Sequence, residues 1–228
     1  MPPLNPTSSP RGFAFYDFDG TLVSGNVVDQ YLWFARRDRG WWRLVRLVLR
    51  GTSLKLAELR SREAFNHLFY REYGGFPESW LRAEATNLFA EYVRPNLYEG
   101  VEELLASNVK EGFVNTLVTG SLDFAMAPVV EMLGFEHLLA NRLEFSSGRA
   151  TGRLLPPVLA GAEKAIAMLD LCRRHNVDPV NCRAYSDDLS DLPMLVAVGQ
   201  GFATNPKPSL RQIAAKHNLQ ILELGRRA

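Results

Sequence analysis

Gly12-Phe-Ala-Phe-Tyr-Asp17-Phe-Asp-Gly-Thr-Leu22 is the stretch that decides the architecture of this chain. Its first five residues are small, apolar or aromatic with no polar alternate, as a strand buried on both faces should be. The run passes directly into Asp17 and Asp19 and then Gly20-Thr21, the composition of a turn. A buried strand that ends in two carboxylates is a place for chemistry as well as for folding.

Similar apolar runs recur downstream. Residues 113–119 are broken by Gly120, residues 182–185 end in Ser-Asp-Asp, and 201–204 and 219–224 are two further strand candidates. Helical periodicity fills the intervals at 98–110, 123–133, 163–175 and 192–198. This alternation after about residue 95 predicts an α/β fold, a Rossmann-like parallel sheet with helices on both faces. Residues 26–95 differ, with helical candidates at 27–37, 41–49, 54–72 and 78–93 separated by Gly40, Gly51 and Gly74-Gly75-Phe76-Pro77. The expected organisation is a flexible tail of 1–12, a core of 13–25 and 96–228, and a helical cap of 26–95 inserted after the first strand. Residues 141–155 read as a small hairpin turning at Ser146-Ser147-Gly148.

Composition narrows the function classes. The chain has 228 residues, 46% apolar and 22% charged, with 26 basic against 25 acidic side chains. A formal charge of +1 gives no electrostatic case for nucleic acid as a partner. Two cysteines, Cys172 and Cys182, make no disulfide framework, so a reducing, cytoplasmic setting is expected. The opening MPPLNPTSSP has four prolines and no apolar core of a signal peptide, and no apolar run reaches the roughly 18 residues of a membrane span.

Three strand ends carry complementary polar groups: Asp17 with Asp19, Thr119 with Ser121, and Asp187 with Asp188 and Asp191. In open parallel sheets, ligands gather outside the carboxyl ends of strands. Carboxylates from two loops form a hard, oxygen-rich site that suits Mg²⁺, whereas the four histidines have no metal-ligand spacing.

Asp17-Phe-Asp-Gly-Thr-Leu22, Leu117-Val-Thr-Gly-Ser121, Lys164 and Ser186-Asp-Asp-Leu-Ser-Asp191 resemble the four successive motifs of the haloacid dehalogenase superfamily. More narrowly, the chain resembles the phosphoserine-phosphatase-like branch, subfamily IB, whose helical cap lies between the first and second motifs. The resemblance implies a phosphoric monoester hydrolase that forms an aspartyl-phosphate. Asp17 would be the nucleophile and Asp19 the acid that protonates the leaving oxygen and later activates water. Thr119 and the Gly120 amide would hold the phosphoryl group, and Lys164 would neutralise it while keeping Asp17 ionised. Mg²⁺ would be held by the Asp17 carboxylate, the Asp19 carbonyl and Asp187, with Asp191 in support. Asp188 departs from the Gly or Ser usual at its position and reads equally as a solvated turn acid or a site residue. Thr21 is expected to brace the turn that Gly20 permits.

The substrate is less defined. A small or lipid-like phosphomonoester is expected, and phosphoserine is disfavoured because Leu22-Val-Ser-Gly-Asn-Val-Val28 places no acid before Asp29. Tyr31, Trp33, Trp41 and Trp42 suit a bulky substrate or a helical core equally. Residues 36–50 hold six arginines against one aspartate, with Arg43, Arg46 and Arg50 on one helical stripe. That stripe fits either a peripheral membrane contact or a cap helix whose arginines face water. A phosphomutase or phosphotransferase on the same fold, and a non-catalytic phosphate-binding module, are the alternatives.

Overall fold

A computed structural model describes residues 11–38 and 40–225. The first ten residues of the expected tail lie outside the described residues, whereas Arg11 already donates its amide to the Gly112 carbonyl and Gly12 opens the first strand.

Among the described residues the sheet has seven strands: β1 (Gly12–Tyr16), β2 (Phe113–Leu122), β3 (His137–Ser146), β4 (Arg149–Leu155), β5 (Arg183–Ser186), β6 (Gln200–Thr204) and β7 (Gln220–Leu222). Their spatial order is β4-β3-β2-β1-β5-β6-β7, with only the β3–β4 pair antiparallel. β1 is therefore interior, with Tyr16 opposite Leu117 on one side and Tyr185 on the other. Every one of its residues is buried. Phe13 and Phe15 pack into one apolar core, while Ala14 and Tyr16 pack into the other. This two-sided burial is why the strand lacks a polar alternate.

Helices α1 (Val27–Arg37), α2 (Trp41–Arg60), α3 (Arg62–Phe69), α4 (Glu78–Leu88) and the short α5 (Arg94–Asn96) occupy the interval between β1 and β2. α6 (Val101–Lys110), α7 (Asp123–Leu133), α8 (Ala162–Arg174), α9 (Leu192–Val196) and α10 (Pro208–Ala214) flank the sheet. α1 starts with a capping box: Asn26 Oδ1 accepts from the Val28 and Asp29 amides, and Asp29 Oδ2 accepts from the Asn26 amide. The insert is also tied to the β3–β4 hairpin. Gly75 donates to the Ala150 carbonyl, Ala150 to that of Phe76, and Glu78 to that of Gly148.

Several expectations shift. Gly51 does not separate two helices, because α2 runs through it to Arg60 and the break falls at Ser61, whose hydroxyl caps α3 through the Ala64 amide. β2 likewise continues past Gly120, with a register shift against β3 between Val118 and Leu122. The arginine stripe of α2 is drawn toward acidic partners on its inner side, with Arg46 and Arg50 still 31% and 42% exposed. Arg43 is buried against Asp38 and the Phe76 ring, and Arg46 and Arg50 both grip the fully buried Glu72. A buried carboxylate requires such partners, and its demand outweighs the affinity of two guanidinium groups for water. No helix among the described residues is long and apolar enough to cross a membrane.

Candidate active site

The cleft lies where β1, β2 and β5 end, and it encloses about 500 Å³. Asp17, the first residue after β1, donates its amide to the Tyr185 carbonyl, which fixes it beside β5. Its Oδ1 accepts from Lys164 Nζ at 2.7 Å, and the same ammonium donates to Asp191 Oδ2 at 2.7 Å. Lys164 sits in the first turn of α8 and is almost wholly buried. Burial opposes its charge, but Asp17 and Asp191 more than offset this and hold the ammonium above its ordinary pKa. Ser186 also donates to Asp191 Oδ2.

Thr21 joins the first loop to the loop after β5. Its hydroxyl oxygen accepts from the Asp187 amide at 3.0 Å and lies 3.3 Å from Asp17 Oδ2 and 3.4 Å from Asp187 Oδ1. One hydroxyl has one proton, so it satisfies one of these two carboxylates at a time. Gly20 has φ +83°, and a Cβ there would stand 2.3 Å from Asp187 Oδ2. Close approach of the two loops therefore requires glycine.

Asp19 is held by Ser121 Oγ at 2.7 Å and Gln30 Nε2 at 2.9 Å. Burial, with the neighbouring Asp17 charge, raises its carboxyl to about 7. Burial raises Asp187 and Asp191 as well. Asp188 goes the other way: burial works against its charge, but Lys207 and the Ser190 amide lower its carboxyl. Lys207 bridges Asp187 at 2.9 Å and Asp188 at 2.6 Å.

The structure thus brings Asp17, Asp19, Lys164, Asp187, Asp188 and Asp191 to one cleft, together with Gly120. Thr119 is fully buried behind that wall, with its Oγ1 accepting from the Ser121 amide. Gly120 directs its carbonyl to Tyr70 Oη and Asn141 Nδ2. Neither Trp33 nor Trp41 nor Trp42 lines the cleft, and Tyr31 is interior to the insert. Sequence reasoning missed Lys207, Gln30, Arg62 and Asn66. Lys207 could have been found, since it follows β6 in Asn205-Pro-Lys-Pro208, at a fourth strand end. Gln30 and Asn66 had no signal apart from being polar within apolar helical faces.

Asp17 and Asp187, one from each loop, thus face the same hydroxyl of Thr21. A family model for haloacid dehalogenase-like hydrolases matches residues 14–196. The chain belongs to that family. A phosphoserine phosphatase of Archaeoglobus fulgidus is 27% identical over 96% of this chain, which spans 61% of that protein's length. Phosphoserine phosphatase SerB1 of Mycobacterium tuberculosis is 30% identical over 97% of this chain and 72% of its own. Among solved structures, a Bordetella pertussis Tohama I protein of unknown function superposes with a TM-score of 0.81 at 24% identity, covering 93% of this chain and 98% of that one. The family member described here is therefore phosphoserine-phosphatase-like in sequence and Rossmann-like in fold.

Proposed function

We propose that this hydrolase is a phosphatase that cleaves a small phosphomonoester through an aspartyl-phosphate on Asp17. The observation that carries the reading is the Lys164 ammonium held between Asp17 and Asp191 beside a protonatable Asp19. Asp17, oriented by its contact with that ammonium, attacks phosphorus, forming the Oδ–P bond as the bond from phosphorus to the ester oxygen breaks. Asp19 gives its proton to the departing alkoxide. The resulting carboxylate then takes a proton from water as the water oxygen attacks phosphorus, which releases inorganic phosphate and restores Asp17. A carboxyl that titrates near 7 suits both steps at neutral pH. Lys164 and the Gly120 amide attract the phosphoryl oxygens, and Thr119 positions the β2 end that presents Gly120.

The donor chemistry fits Mg²⁺. Among the described residues no three His, Cys, Asp or Glu side chains converge as a metal group. The Asp17 and Asp187 carboxylates with the Asp19 carbonyl supply a hard oxygen set that leaves positions for water and phosphate. When bound, the cation offsets repulsion between the carboxylate nucleophile and the anionic ester. Asp191 supports the site through Lys164, and Asp188 by anchoring Lys207. The insert over the cleft is read as a cap that excludes bulk water.

Substrate identity stays at the level of a phosphomonoester small enough for the cleft. Phosphoserine phosphatase relatives favour a small substrate over a lipid-like one. Arg62 on the cleft wall gives the part beyond the phosphate a cation to meet. Hydrolysis of p-nitrophenyl phosphate with Mg²⁺ tests the reading. The Asp17→Asn variant should lose at least about 10³-fold in kcat, and EDTA should abolish turnover reversibly. Equal rates for the two chains would overturn the assignment, and transfer of the phosphoryl group to an added sugar in preference to water would redirect it to a phosphotransferase.

A further inference from the structure

α2 carries apolar side chains on two sides: Leu44, Leu47 and Leu54 pack into the core, and a second set stays exposed. Its inner stripe carries Arg43, Arg46 and Arg50, whose charges are taken up by Asp38 and Glu72. Its outer face carries Trp41, Trp42, Val45, Val48, Leu49, Leu56 and Leu59, which expose between 44% and 79% of their surface. A side chain of this kind presents about 150–250 Å² when free for the aromatics and somewhat less for Val and Leu, so the face amounts to roughly 900 Å² of apolar surface. The largest apolar patch on a typical monomer is about 300–600 Å². A standard two-protein interface needs about 800 Å² from each side.

The spacing says what fits this face. Val45, Val48, Thr52, Leu56 and Leu59 follow one another at intervals of three, four, four and three residues, a pattern that reads the same from either end. At about 100° per residue these five positions share one stripe within an arc of roughly 80°. An antiparallel copy of the helix centred on Thr52 would set Val48 against Leu56 and Val45 against Leu59, each pair occurring twice, as a two-fold interface demands. Gly51, Thr52 and Ser53 are all exposed at the midpoint, and nothing lies within 4 Å of a Cβ placed on Gly51. Small residues at the crossing allow the two backbones to approach closely.

We propose that α2 is the interface of a two-fold symmetric homodimer, with the inserts of two copies packed antiparallel through this stripe. Other occupants fit less well. An anionic lipid surface would need a cluster of cations beside the apolar face, but Arg43, Arg46 and Arg50 are engaged by Asp38 and Glu72, which leaves Lys55 and Arg60 as the exposed cations on the second half of α2. Residues 1–10 offer only Met1 and Leu4 as large apolar side chains, too few to cover seven.

Sedimentation velocity on the full chain should give twice the 25.6 kDa chain mass at roughly 100 µM. Val48→Asp and Leu56→Asp should each raise the dimer dissociation constant at least about 100-fold, with unchanged thermal melts at dilutions where the parent is monomeric, because both positions are exposed in one chain. Register is tested by cysteine pairing. Oxidised Thr52→Cys should cross-link to itself, whereas Val48→Cys and Leu56→Cys should cross-link mainly when mixed with each other. The native Cys172 and Cys182 are buried and serve as the background. A chain that stays monomeric at this concentration, a dimer untouched by the aspartates, or a monomer that pellets with phosphatidylglycerol vesicles would each overturn the proposal.

Discussion

The cleft and the insert both bury carboxylates against cations, at nearly the same distances. Lys164 lies 2.7 Å from Asp17 and 2.7 Å from Asp191, while Arg46 and Arg50 lie 2.6 Å and 2.8 Å from Glu72. What differs is the balance of charge. In the insert one carboxylate faces two guanidinium groups, one on each oxygen, and Arg46 also donates to the Glu72 backbone carbonyl. The cleft gathers Asp17, Asp19, Asp187, Asp188 and Asp191 against the ammonium groups of Lys164 and Lys207. Burial pushes three of these acids upward because the protein does not supply enough positive charge to hold them all ionised. The insert cluster has more cations than acids, and the cleft has more acids than cations.

The strongest way to break this contrast is to remove the cleft's central cation. Lys164→Met leaves Asp17 and Asp191 without the ammonium that they share, which the proposed mechanism requires. Turnover should fall by about 10³-fold or more, and added Mg²⁺ should not restore it. Steady-state kinetics with p-nitrophenyl phosphate measures this, and a loss smaller than tenfold would place Lys164 outside the chemistry.

Glu72→Ala makes the opposite cut. It leaves Arg46 and Arg50, which are 31% and 42% exposed, without their shared carboxylate and should cost about 2 kcal/mol of stability, roughly 4–8 °C in melting temperature for a chain of this size. The chemical step has no group there, so kcat at low temperature should remain within a few-fold of the parent. A large kcat loss with an unchanged melt would show that the two clusters are not independent.

Asp19 sharpens the contrast through pH. Its folded pKa of about 7 lies above the roughly 3.9 of an unfolded aspartate, so the folded chain binds a proton that the unfolded chain has released. Stability from this group is therefore highest near pH 4, declines as pH rises toward 7, and is flat above. Asp19→Asn removes that decline. In the metal-free protein it should stabilise the chain at pH 8 by on the order of 2 kcal/mol and change it little at pH 5, while abolishing turnover. Thermal melts at the two pH values decide the sign.

Much of this was legible before any coordinates. β1 announced itself because a strand buried on both faces must be continuously apolar, and the acids that follow it, with those after β5, point to the cleft by the rule that parallel strands open at their carboxyl ends. The inward turn of the α2 arginines was not legible. Helical periodicity gives two stripes but not which one faces inward, and here the choice is made by Glu72, a residue 22 positions from Arg50 on a different element. Gly51 misled for a related reason: a helix tolerates one glycine when the flanking turns are packed, at a cost of about 1 kcal/mol. Lys207 was within reach of the same strand-end rule, since it follows the expected strand at 201–204, but the sheet order that sets β6 beside β5 was not legible.

Arg37 gives the smallest effect and the clearest control. Its guanidinium pairs with Glu84 at 2.9 Å and Glu91 at 2.8 Å, linking α1 to the segment around α4, and the second distance equals that of Arg50 to Glu72. Distance alone would predict equal worth. Exposure predicts otherwise, since Arg37 is 37% exposed and Glu91 50%, against 0% for Glu72. In water both partners find solvent when the pair is broken, and side-chain entropy opposes holding them together. Arg37→Ala should therefore cost less than about 1 kcal/mol, much of it from the contact of the guanidinium with the Trp33 ring. Chemical denaturation of Arg37→Ala beside Glu72→Ala measures the ratio. A cost for Arg37→Ala approaching that of Glu72→Ala would mean that geometry, and not the loss of water, sets the strength of ion pairs in this protein.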